Sequence, residues 1–196
     1  MASREQKKAA TRRALIDAAE RLFAERGVEG TTMDDIARAA GTSRTSIFNY
    51  FGYKEMILCE IGARYVEEVA YTTRRPRRSA RQLLLDMSDA VAELAGRQPE
   101  ILSAVAREMT HPDPDRRRRA AVTMQYDEVI ETALERLEST GRLKAGHRRS
   151  SYARMIVDMV AGTVVRAGGD FPLTRLRAEL HRNVDVLLQG VLTPSR

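Results

Sequence analysis

Apolar residues recur at intervals of three and four along almost the whole chain, the spacing that gathers them on one face of an α-helix. The first stripe, Leu15, Ala18, Ala19, Leu22 and Phe23, predicts a helix from about Lys8 to Arg26 that Gly27 ends. Two short segments follow. Thr32 heads one as N-cap, with Asp35 in the capping-box position and Ile36, Ala37 and Ala40 as its apolar face. Gly41 stops it where a left-handed residue is wanted. Ser43 caps the other, Arg44 to Phe51, in which Ile47 and Phe51 face inward. Two short helices joined by a glycine-containing turn form a helix-turn-helix, whose second helix enters the DNA major groove.

The remaining stripes predict longer helices. Ile57, Leu58, Ile61, Tyr65 and Val69 mark one from Tyr53 to about Thr73, placed to act as a mechanical link behind the helix-turn-helix. Arg74, Arg75, Pro76, Arg77 and Arg78 break it into a solvated loop. Ser79 to about Arg97 is apolar over more than half its circumference, which predicts a central position. Pro99 to Met109 gives a short helix. Asp113 and Pro114 open a single long one to about Thr140, with Val122, Tyr126, Val129, Ile130, Ala133 and Leu137 inside and Gly141 past its end. Ser150 or Ser151 to Ala167, then Leu173 to Leu192, complete the set. No alternating β-branched run of strand length interrupts it. The pattern is that of an all-α chain of about nine helices, three and then six.

Composition narrows the partners. The net charge of +6 suits a polyanion, and Arg4, Lys7, Lys8, Arg12 and Arg13 against Glu5 concentrate it at the N-terminus. That stretch is either a solvated end or a phosphate-seeking arm. Arg116 to Arg119 form a second basic quartet, by default a solvated face. Cys59 is the sole cysteine, which excludes an intrachain disulfide and a thiolate cluster; flanked by Ile57, Leu58 and Ile61 it reads as an inert core thiol rather than a redox sensor. His111, His147 and His181 have no ligand-spaced neighbours, so no metal or other cofactor is expected. No uncharged run reaches the ~18 residues of a membrane span and no leader pattern is present, which predicts a cytoplasmic protein without membrane contact. No nucleophile–base pair or phosphate loop argues for an enzyme.

The run Thr31-Thr32-Met33-Asp34-Asp35-Ile36-Ala37, then Ala40-Gly41-Thr42-Ser43, then Ile47-Phe48-Asn49-Tyr50-Phe51, then Lys54-Glu55 and Leu58, resembles the N-terminal domain of tetracycline-repressor-type (TetR family) regulators. The resemblance implies a DNA-binding domain over residues 1–53 and an effector-binding and dimerisation domain over 54–196. The partners it implies are double-stranded DNA, a second copy in a homodimer, and a small-molecule effector. It assigns Thr32 and Ser43, at helix N-termini, to phosphate. Arg44, Thr45 and Ser46 meet base edges, Arg44 as the candidate for guanine. Asn49 and Tyr50 lie further along the reading side, and Lys54 clamps phosphate. Tyr50 packed against the first helix, and Lys54 merely solvated, are the plain alternatives. Phe48 stands where the family has tyrosine, keeping a thymine-methyl or ribose contact and losing a phosphate hydrogen bond. Thr42 replaces a common valine. Asp34, an acid where some members carry a base, reads as a first-turn helix stabiliser.

For the second half the resemblance implies a four-helix dimer interface from the last two helices, with Met155, Ile156, Met159, Val160, Thr163, Val164, Leu180, Val184, Leu187 and Val191 as its candidates. An intrachain core is the alternative. Met87, Val91, Met109, Met124 and Tyr126 are candidates to line an effector cavity, methionines at helical spacing being equally good core filler. Asp158 binds a cationic or hydroxyl-bearing ligand, pairs with an arginine across the dimer or faces water. On the family's arrangement the Arg116–Arg119 end faces DNA and adds phosphate attraction. The expected protein is a homodimeric repressor of a palindromic operator, released by a small apolar effector. Its rival is a DNA-bound adaptor whose second half holds a protein partner.

Overall fold

A capping box starts the chain's first helix four residues earlier than its apolar stripe does: Ser3 Oγ accepts from the Gln6 amide at 3.2 Å and Gln6 Oε1 from the Ser3 amide at 2.7 Å. In the computed structural model, which describes residues 3–73, 79–139, 148–168 and 172–191, the helices are α1 (Arg4–Arg26), α2 (Met33–Ala39), α3 (Arg44–Tyr50), α4 (Lys54–Thr73), α5 (Ala80–Arg97), α6 (Pro99–Met109), α7 (Pro114–Met124), α8 (Tyr126–Ser139), α9 (Arg149–Ala167) and α10 (Leu173–Val191). The fold is all-α, with no strand among the described residues. The Arg74–Arg78 loop, Gly141, His147 and Leu192 lie outside the described residues. Among those described, no helix is long and apolar enough to cross a membrane, and no group of His, Cys, Asp or Glu is arranged to hold a metal.

The helix expected from Asp113 to Thr140 is two helices. Gln125 between them adopts a left-handed conformation (φ 52°, ψ 30°), which costs a side-chain-bearing residue roughly 1–2 kcal/mol. The break follows from packing against α4. Gly62 lets Met124 approach so closely that a Cβ there would lie 2.8 Å from Met124 Cε and 3.0 Å from Val105 Cγ1. Met124 is buried by that contact, while Val122, expected inside, is 71% exposed; past the bend Tyr126, Ile130 and Leu137 turn into the core.

Helix α4 is the hub, packing against α1, α5, α6, α7 and α8; α10 lies along α5, and α9 against α6 and α8. The N-terminal trio closes over Leu15, Phe23, Ile36, Ile47 and Phe51, all fully buried. Truncating either phenylalanine would cost about 3–5 kcal/mol.

The interface expected from α9 and α10 is corrected on most of its residues. Thr163, Val164, Leu180, Val184 and Leu187 are buried within the single chain, and Met159 and Val160 are half-buried against the same core. The side chain of Val191 lies outside the described residues. Thr163 Oγ1 donates to the Met159 carbonyl at 2.7 Å and accepts from Asn183 Nδ2 at 3.0 Å, so it is satisfied internally. Their apolar stripe exists, but α5, α6 and α8 of the same chain cover it.

Candidate nucleic-acid interface and effector cavity

Caps and the turn between them shape the reading surface. Thr32 and Asp35 form a reciprocal box: the Thr32 hydroxyl accepts from the Asp35 amide at 3.1 Å and donates to Asp35 Oδ2 at 2.6 Å. These bonds hold the Asp35 carboxyl below the usual carboxylate range, the Thr32 hydroxyl contributing most. This corrects the assignment of Thr32 to phosphate, because its hydroxyl proton is committed to an adjacent acid. Gly41 takes φ 66° at the turn, as expected of it. Ser43 Oγ then accepts from the Ser46 amide at 3.1 Å and donates to Ser46 Oγ at 3.0 Å.

On α3, Ile47 anchors the helix in the core, and Arg44, Thr45, Phe48 and Asn49 are exposed together on the opposite side. Tyr50 is half-buried, its ring 6.5 Å from that of Phe51. Arg44 Nη1 donates to Asp34 Oδ2 at 2.5 Å, and its guanidinium lies 5.6 Å from the centre of the Phe48 ring. Asp34 therefore has a second role besides its place in the first turn of α2: it braces Arg44. No spacing rule pairs two residues ten apart on different helices.

Lys54 is a second correction. Its ammonium donates to the carbonyls of Val28 at 2.5 Å and Thr31 at 3.1 Å, tying α4 to the loop between α1 and α2 instead of reaching outward. The Arg116–Arg119 quartet is likewise mostly committed. Arg116 forms two bonds to Glu108, a carboxylate only 7% exposed, and this bonding raises the arginine's pKa. Arg117 donates to the carbonyls of His111 and Pro112 at 2.5 and 2.8 Å, and Arg119 lies over the Tyr53 ring at 6.0 Å. Cys59 is buried, and burial pushes its thiol up to about 12.

The second site is an apolar cavity of about 110 Å³ enclosed by α4, α5, α6, α8, α9 and α10. Met87, Val91, Met109 and Tyr126 line it, with Met159 and Val160. Met124 and Asp158 do not. Met124 lies against Gly62 in the wall on the far side of α4. Asp158 is exposed and pairs with Arg154 one turn back, at 2.5 and 3.1 Å. Arg154 also donates to the Met109 carbonyl at 3.1 Å and the Tyr126 hydroxyl at 3.4 Å, tying together two residues of the cavity wall. Burial raises the Tyr126 phenol above its ordinary value.

Two family models match the chain: "Bacterial regulatory proteins, tetR family" over residues 15–61 and "TetR/AcrR family transcriptional repressors, C-terminal domain" over residues 63–190. Among curated proteins, a helix-turn-helix transcriptional regulator of Mycobacterium tuberculosis is 35% identical over 77 residues, 39% of this chain and 33% of the relative. The repressor KstR2 of Rhodococcus jostii is 40% identical over 62 residues, 32% of this chain and 30% of that one. These matches span about a third of the length of the curated relatives. Among solved structures, the transcriptional repressor FadR of Thermus thermophilus in complex with lauroyl-CoA superposes with a TM-score of 0.83 at 29% identity, over 94% of this chain and 97% of that one.

Proposed function

Because the chain belongs to the TetR/AcrR family of transcriptional repressors, we propose that it binds a palindromic operator as a homodimer and releases it when an apolar-chain effector fills the interior cavity. The observation that carries this reading is the cavity itself, since its lining is almost wholly hydrocarbon with no charged residue, and α4, which forms one wall, is the helix that follows the reader. The T. thermophilus relative solved with lauroyl-CoA supports an acyl chain as the effector's apolar part. An occupied cavity displaces α4, and the reader, tied to α4 by Lys54, moves with it. An adaptor for a protein partner has no such observation behind it.

Reading falls to Arg44, Thr45, Ser46, Phe48 and Asn49, flanked by Tyr50 and Ser43, and takes place in the cytoplasm on double-stranded DNA. The dimer surface supported by exposure is the outer ridge of α9 and α10. Arg166 pairs with Glu179 at 3.3 Å and Asn183 with Thr163 at 3.0 Å, so the helices run antiparallel and Val186 comes level with Met159. Met155 is 43% exposed and Val186 67%, apolar groups with no cover in one chain. Selection of bound DNA from a random pool should return a palindrome with half-sites one helical turn, about 34–36 Å, apart. Val186→Glu should yield a monomer that no longer selects it. Acyl compounds should then release the recovered site. A ligand that saturates the cavity without weakening operator binding rejects the mechanism.

A further inference from the structure

The cavity is too small for the effector proposed for it. A cavity of about 150 Å³ accommodates benzene, and ligand pockets run to about 300–1,000 Å³; this one is about 110 Å³. Directly behind one wall lies a second, open cleft of about 620 Å³ between α1, α4 and the α7–α8 bend. Val66 and Val129 line both spaces, and Met124, which lines the cleft, touches the Gly62 that lines the cavity. The partition is one layer of side chains thick. One of its members is a methionine, whose three rotatable bonds let it swing aside.

The cleft is polar where the cavity is not. It carries the guanidinium groups of Arg12, Arg13 and Arg64 against the carboxylates of Glu60 and Glu67. Arg12 pairs with Glu60 across the α1–α4 junction, and Arg64 returns the link to Asp17 at 2.7 Å and Glu20 at 3.3 Å. Arg13 is exposed and, among the described residues, has no hydrogen-bond or ion-pair partner. A free guanidinium beside two others in a concave site suits an oxyanion, which accepts two of its parallel N–H groups.

We propose that the cleft and the cavity are the two halves of one site, which takes an amphiphile: an apolar chain passing the Val66–Val129–Met124 partition, and a phosphate-type anionic head held by Arg13 with Arg12 and Arg64. This rests on the effector reading above and adds where the head binds and why its charge matters. The head competes with Glu60, Asp17 and Glu20 for the same cations. It thereby loosens the ion pairs that fasten α1 of the reader to α4, in the place where a released operator requires movement. Arg154, which lines neither space, is already bonded to Asp158, Met109 and Tyr126 and is not the head's partner.

The test is titration of the full chain with dodecyl phosphate and dodecanol, below their aggregation limits, read by calorimetry and by operator release. The wild type should bind the phosphate about ten-fold tighter than the alcohol, a difference of about 1.4 kcal/mol. Arg13→Ala, which removes no contact of the free protein, should cut dodecyl phosphate affinity about five-fold and leave dodecanol unchanged. Arg154→Ala should not narrow the phosphate-over-alcohol preference. A preference that survives Arg13→Ala and Arg13→Glu, or that collapses in Arg154→Ala instead, overturns the assignment of the head while leaving an acyl effector in place. If neither compound binds, the effector reading falls and this proposal with it.

Discussion

Replacing Asp34 with alanine separates two roles of an acid beside a DNA-reading helix. Arg44 uses one nitrogen, Nη1, on Asp34 Oδ2 at 2.5 Å and rests near the Phe48 ring. The guanidinium has five N–H donors, so Nε and Nη2 remain free to face guanine O6 and N7 while the brace holds. The pair is solvent-facing, with the two side chains 71% and 43% exposed, so its worth to folding is about 0.2–1 kcal/mol. Part of that is returned, because Asp34 Oδ1 is shielded without a partner and its removal lifts a desolvation cost. A chain of this size loses about 2–4 °C in Tm per kcal/mol, so Asp34→Ala should unfold within about 4 °C of the wild type. The effect on recognition is larger in proportion. A bidentate arginine–guanine contact is worth about 1–3 kcal/mol of discrimination, and letting Arg44 sample its other rotamers forfeits on the order of 1 kcal/mol of that, about five-fold. Binding to unrelated DNA should rise slightly, since an acid leaves the phosphate surface. Competitive binding to the selected operator and to versions mutated at each symmetric guanine measures both quantities. If Asp34→Ala binds all sequences more tightly with its base preference intact, Asp34 only repels phosphate and the brace is irrelevant to reading.

Lys54→Met should destabilise the chain by about 1.5–3 kcal/mol through loss of two charge-assisted bonds, with an unchanged slope of log K against log salt; a slope lowered by about one unit would show that the ammonium reaches phosphate after all. Gln125→Gly should be neutral to stabilising by about 1 kcal/mol, and Gln125→Val destabilising, in thermal unfolding, because only glycine takes that φ without strain. The Cys59 thiol, pushed up to about 12 by burial, should resist iodoacetamide at pH 8 in the folded chain and react once it is unfolded. Its neutral form favours the folded state, so this contribution is complete below the unfolded thiol pKa of about 8.5 and fades as pH rises from there toward 12. Cys59→Ala should flatten the alkaline fall in urea midpoint across that window, and an equal fall in both proteins would assign it elsewhere.

The reader was legible because its determinants are local. Thr32 with Asp35, Gly41 and Ser43 fix two helix starts and a turn within twelve residues, and each signal acts through bonds to its own neighbours. The roles that failed to transfer were those decided by residues distant in sequence. Lys54 looks like a phosphate clamp until the carbonyls of Val28 and Thr31, more than twenty positions away, are brought beneath it. Arg116 reads as one of four solvated cations until Glu108 is found buried on the preceding helix. The bend at Gln125 also has a distant cause: the space left by Gly62 on α4 draws in Met124, and no turn signal stands at the break itself.

The same logic explains the effector half. Periodicity finds the apolar face of a helix but not what covers it. Thr163, Val164, Leu180, Val184 and Leu187 form the face that a dimer would need, yet one chain supplies their cover, and the uncovered groups, Met155 and Val186, stand on the other side of the same helices. Conversely, Val129 is an unremarkable member of its stripe, and Val66 falls beside the stripe of its helix. What distinguishes them is that each has a different space on either flank, hydrocarbon toward α5 and α9, arginine toward α1. A site of that kind is a property of how three helices meet, so its chemistry is written in the sequence only as one arginine of the N-terminal basic cluster, Arg13 on the first helix, and a glycine, Gly62, on the fourth. Changing Arg13 alone therefore probes the junction with the least disturbance to the fold that creates it.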